Sequence, residues 1–266
     1  MHTDLVAPAG TGQLARYRRW SWVLVLVVGT VLYEVTRRAV LATGNPRLLP
    51  TLILLGAAVV PVTVVAFISG RRMASGVSGG AIMLTAVLGG FVGVLAAGTV
   101  EFDTRRSLGV LPLIAVGLIE ELTKLLGPAA VLAVLRRPRP ADGLLLGVAS
   151  GAGFAVLETM GYAFVALVRS GGDLSAVDEL LLYRGLASPA AHLAWTGVAA
   201  AALWRAAAEH WRGAAVARFV GTYLLVAVLH AGWDGARGRW TAVGVALVSL
   251  ALLTWTVHRL AESQRR

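Results

Sequence analysis

Cysteine is absent from the 266 residues, and lysine occurs once, as Lys124. The missing thiol excludes disulfides, a cysteine nucleophile and thiolate-held zinc or iron–sulfur clusters. Charge is scarce as well: 14% of the residues are charged and 57% are hydrophobic. A soluble domain of this length needs a more polar surface, so the composition points to an integral membrane protein. A formal net charge of +10 would fit nucleic-acid binding in a soluble chain. Here the arginines gather at the ends of apolar runs, and no basic segment interleaved with aromatics accompanies them. Nucleic acid is therefore set aside as a partner, and the lipid bilayer is the expected surrounding. No small-residue cleavage site follows the first apolar run, which reads as a span rather than a removable signal.

Eight apolar stretches of spanning length lie near 20–36, 50–70, 80–100, 108–135, 143–168, 187–206, 218–235 and 240–258. About 20 residues rising 1.5 Å each cross a hydrocarbon core of roughly 30 Å. The runs are long and do not alternate, so they are helices rather than barrel strands. The expected fold is all-α and polytopic, with about eight transmembrane helices. Residues 1–19 form a short tail, 20–79 two N-terminal helices, 80–258 the core and 259–266 a second tail. Fourteen arginines, among them Arg71, Arg72, Arg136, Arg205 and Arg259, fall on the side of both termini, and nine on the other. That excess predicts cytoplasmic termini. The opposite loops also hold acidic residues, Glu101 and Asp178 among them. Residues 171–186 read either as an amphipathic surface segment or as a loop with a helical turn.

Few ionisable groups remain inside the spans. They are Glu120, Glu121 and Lys124 in the fourth, Glu158 in the fifth, His192 in the sixth, and His230 and Asp234 in the seventh. Each charge at a bilayer centre costs roughly 2.5–3.5 kcal/mol on the insertion scale, so pairing, a polar cavity or function must offset it. Lys124 can reach either glutamate, three or four residues away, yet one ammonium leaves one carboxylate over. Pro128 cannot donate to the Lys124 carbonyl and is expected to bend the helix there. In the fifth span, Gly143, Gly147 and Gly151 form a small-residue ladder for close helix approach. Phe154 and Glu158 share its face, and Glu158 has no cation in its own span. His230 and Asp234 stand four apart on one face. Counted at 1.5 Å per residue, all these carboxylates and histidines fall between the midplane and the outer surface. Independent packing contacts would scatter in depth, so one polar cavity between spans 4 and 7, open to the outer side, is expected.

Carboxylates and imidazoles without a thiol point to water activation: a glutamate in low dielectric as base, and His with Asp steadying an oxyanion. Zinc is feasible too, since Glu158, His192, His230 and Asp234 are acceptable ligands. There is no H-E-x-x-H motif. Ser150, within "GVASGAG", reads as a small packing residue, because Val148 and Phe154 break the rhomboid and presenilin patterns.

Glu120-Glu121-x-x-Lys124, Phe154-x-x-x-Glu158, His192 and His230-x-x-x-Asp234, in that order on consecutive spans, resemble the PrsW family of intramembrane proteases. That family lies within the wider superfamily of CAAX prenyl endopeptidases and bacteriocin-processing proteins. The resemblance covers about residues 80–258. It implies a bacterial plasma-membrane protein that cuts a single-span membrane substrate such as an anti-sigma factor. By the same resemblance Glu120 is the water-activating base, braced by Glu121 and Lys124, and His230 with Asp234 takes the oxyanion-binding place. Glu158 stands where the CAAX branch has a histidine. It is implied either to form a dyad with Glu120 or to hold zinc with His192 and His230, and the metallo and glutamic alternatives both stay open. Two rival readings are an ion- or proton-coupled transporter, which would show matching broken halves, and a non-catalytic membrane scaffold.

Overall fold

A computed structural model describes residues 11–71, 73, 77–108, 112–134 and 138–263. Residues 1–10 of the tail, and Arg72, Arg136, Arg137, Arg265 and Arg266 of the orientation count, lie outside the described residues. Nine α-helices follow one another among the described residues: α1 (Thr11–Thr43), α2 (Leu49–Gly70), α3 (Gly79–Leu108), α4 (Leu113–Val134), α5 (Pro140–Arg169), α6 (Leu174–Ala187), α7 (His192–Ala208), α8 (Gly213–Asp234) and α9 (Arg239–Ser263). No strand occurs among them. Single 3-10 turns, Pro46–Leu48 and Ser188–Ala190, precede α2 and α7.

Among the described residues, six segments are long and apolar enough to cross a membrane: α2, α3, α5, α6 running into α7, α8 and α9. The remaining long helices, α1 and α4, carry more charge. In α4 that charge is Glu120, Glu121 and Lys124, all three buried. The outward faces are apolar, with Leu24, Phe91, Leu95 and Leu247 all well exposed. Such faces are stable only against lipid.

The interior is built on α5 and α7. Nearly every residue of α5 from Ala141 to Ala155 is buried, as is most of α7. Pro140 opens α5, where its missing N–H costs nothing and its fixed φ suits the first turn; Asp142 follows in that turn, favourable to the helix dipole. The glycine ladder faces α7, as its spacing predicts. A Cβ on Gly151 would stand 2.4 Å from the carbonyl oxygen of His192, so only glycine permits this approach. On the opposite side of α5, Ser150 and Gly153 lie against Gly89 and Ala86 of α3.

Two boundaries differ from the hydropathy reading. The N-terminal helix already begins at Thr11, inside the stretch read as a tail. The second difference is α6, a 14-residue helix where a loop with one helical turn was an equal reading. The Asp173 side chain caps it by accepting from the Ser175 N–H at 2.8 Å. Asp178 then accepts from Tyr33 Oη and Arg37 Nε, each at 2.6 Å, which ties α6 to α1. Helix α7 accordingly starts at His192 rather than near 187, with α6 and the 3-10 turn before it.

Candidate functional site

Lys124 stands at the centre of the polar cluster. Its Nζ donates to Glu120 Oε2 at 3.0 Å, to Glu121 Oε1 at 2.9 Å and to His192 Nδ1 at 2.9 Å. The Phe154 ring lies 3.9 Å below the ammonium. Three N–H donors thus meet three acceptors and one π face, the inventory a lysine ammonium can satisfy. The bend expected at Pro128 leaves the Lys124 carbonyl without its helical donor, and Ser150 Oγ fills that place.

The two glutamates are not equivalent. Glu121 is fully buried and accepts from Lys124, from Thr196 Oγ1 at 3.0 Å and from His230 Nδ1 at 3.0 Å. Glu120 keeps about 10% of its side chain exposed, against 0% for Glu121. Its Oε2 lies 3.5 Å from His230 Nε2, which in turn stands 3.4 Å from Asp234 Oδ2. Since Nδ1 of His230 donates to Glu121, its Nε2 is the nitrogen turned toward Glu120 and Asp234. The Trp195 ring stacks on His230 at 4.7 Å and is itself anchored by an indole N–H bond to Ser249 Oγ of 2.8 Å. That stack fixes the imidazole plane.

Glu158 is where the structure departs from the sequence reading. It forms no dyad with Glu120. Its Oε2 contacts Arg184 at 2.5 Å and His192 Nε2 at 2.9 Å. The cation that Glu158 needed comes from α6, which sequence spacing could not align with α5. Arg184 also donates to Thr159 Oγ1 at 3.1 Å and lies over the Tyr162 ring at 4.3 Å. A cavity of about 20 Å³, lined by Thr159, Tyr183, Arg184, Ser188, His192 and Trp233, reaches this pair from α6. It has room for about one water molecule.

All eight residues singled out in the sequence are thereby brought into one connected cluster. Five contributors were missed. Thr196 follows His192 by four residues, so helical spacing already placed it on the same face. Ser150 read as packing, Trp195 was not singled out, and Arg184 counted as a loop arginine. Glu101 was counted in a loop but lies on α3, near enough to Glu120 to feel its charge. Its Oε1 is buried with no hydrogen-bond partner.

A family model described as "PrsW family intramembrane metalloprotease" matches residues 44–258. No curated relative and no solved structure matches the chain.

A metalloprotease description calls for a test of the donors. One ligand atom each from Glu120, His192 and His230 converges to within 4.8 Å, a possible His/Glu metal site. The trio expected from sequence had Glu158 in place of Glu120; Arg184 holds Glu158 aside. Two of these three residues, Glu120 through Oε2 and His192 through Nδ1, are already bonded to the Lys124 ammonium. While that cation is present the set does not fit a divalent ion.

Proposed function

This chain belongs to the PrsW family of intramembrane metalloproteases, and we propose that it hydrolyses one peptide bond of a single-span membrane protein with water activated by Glu120. The observation that carries the assignment is the asymmetry of the adjacent carboxylates. Glu121 is fully buried and accepts from Lys124, Thr196 and His230, whereas Glu120 reaches the edge of the cluster.

In this reading Glu120 takes a proton from a water molecule as its oxygen attacks the substrate carbonyl carbon. The carbonyl electron pair moves onto oxygen, and the N–H of His230 Nε2, present when the imidazole carries both protons, lies where it can steady that charge. As the tetrahedral intermediate collapses, the C–N bond breaks and Glu120 returns its proton to the departing amine. Asp234 and Trp195 hold the imidazole, and Lys124 keeps Glu120 oriented. A helical amide is poorly presented to water, so the substrate must be unwound at the cut.

The arginine excess supports cytoplasmic termini, and in that orientation the cluster would lie toward the outer face of a bacterial plasma membrane. The cut then falls near or just beyond the outer end of the substrate helix and releases an outer domain, as regulated loss of an anti-sigma factor would require. Co-expression with candidate single-span proteins tests this. The wild type should yield a fragment whose new terminus, read by mass spectrometry, lies at the outer end of the substrate helix. Glu120→Gln should yield none at equal membrane-inserted level. Normal processing by that variant sinks the assignment, and a terminus on the cytoplasmic side reverses the topology.

A further inference from the structure

We infer that the ammonium of Lys124 is the resident cation of this site, held where a divalent metal would otherwise sit, and that Glu120, His192 and His230 are a metal site which the lysine keeps closed. The inference deepens the hydrolytic reading, but its first measurement is metal binding and needs no turnover.

Position comes first. A metal at about 2.1 Å from both Glu120 Oε2 and His192 Nδ1 would stand within roughly 4 Å of Nζ, because Nζ is itself 3.0 and 2.9 Å from those atoms. Lys124 is wholly buried, so neither salt nor bulk water screens that repulsion. The lysine cannot swing away, since its third N–H is bonded to the fully buried Glu121 and Phe154 covers its face.

Donor chemistry gives the same answer. A ligating imidazole nitrogen must present a lone pair. His192 Nδ1 spends its lone pair on Lys124, which leaves the proton on Nε2, donated to Glu158 at 2.9 Å. Neither nitrogen is free. His230 Nδ1 is likewise committed to Glu121. A zinc site normally has the reverse arrangement, with one nitrogen on the metal and the other braced by a second group. Here the bracing contacts exist and the metal-facing nitrogen of His192 meets an ammonium.

Lys124 is also the chain's sole lysine, among arginines used everywhere else for positive charge. A guanidinium is planar and spreads its donors, while an ammonium is a compact point charge. Only the latter can fit a position closed by three acceptors and a ring.

The experiment uses the full chain purified in detergent. Cobalt and zinc are added, excess is removed, bound metal is measured by mass spectrometry, and the cobalt absorption spectrum is recorded. Wild type is expected to retain no stoichiometric metal. Lys124→Met is expected to bind cobalt roughly tenfold or more tighter than wild type and to lose it again in the double variant with His192→Ala. Soluble Lys124→Met that binds no better than wild type overturns the latent site. Should Lys124→Met fail to fold, the wild type decides alone. One equivalent of retained metal, abolished by Glu120→Gln, overturns the inference; its absence, with processing unaffected by a strong chelator, upholds it. Failure of the hydrolytic reading would instead show as no processing under any condition, with the metal result unchanged.

Discussion

Ser150 Oγ donates a 2.6 Å hydrogen bond to the backbone carbonyl of Lys124, the acceptor that Pro128 leaves unserved one turn later. The proline removes a helical bond within α4, and a hydroxyl from α5 restores it from across the interface. The pair therefore locks the backbone that carries both glutamates and the lysine to α5.

Replacing that hydroxyl isolates its contribution. Ser150→Ala leaves a buried carbonyl without a donor and should cost about 1–3 kcal/mol. Thermal or denaturant unfolding in detergent should show the loss, and processing should fall with it. An unchanged midpoint would mean that a water takes over the bond.

The two adjacent glutamates should separate into different phenotypes. Glu121→Ala strands Lys124, His230 and Thr196 together, and breaking a buried pair typically costs about 3–5 kcal/mol. Its signature is less inserted protein and a lower unfolding midpoint. Glu120→Gln, which keeps a hydrogen-bonding side chain at the edge, should leave the amount of folded protein near wild type while ending turnover. Equal loss of folded protein in both would remove the distinction.

Close packing of α5 on α7 supplies a third test. Gly151→Val places atoms where the His192 carbonyl now stands, and the helices must part. Overpacking of this kind costs about 1–3 kcal/mol, and the 2.9 Å contact between Lys124 and His192 should lengthen. Processing should drop more than stability does, because a small displacement of reacting groups is costly in rate. Activity that merely tracks the folded fraction would count against a positioning role for this interface.

Much of this arrangement is legible in the chain. Glu120, Glu121 and Lys124 sit at helical spacing, the Gly143–Gly147–Gly151 ladder marks a contact face, and polar residues recur at one depth in four successive spans. Each rests on local periodicity and on the high cost of a charge in hydrocarbon, which together forced the polar groups toward one another. The partner of Glu158 was not legible. Arg184 lies 26 residues away on a surface helix, and hydropathy does not rank one loop arginine above another.

The sequence by itself determined that the chain is helical, that it lives in lipid and which side chains had to meet, because solvation penalties act on residue type and spacing. Tertiary structure alone decided who bonds to whom. It set Glu121 rather than Glu120 at the buried centre, turned Glu158 to Arg184, and put the lysine against Glu120 and His192. Those choices depend on distances of about 3 Å between helices far apart in sequence. Helix rotation and close approach fix such distances, and no local pattern records them.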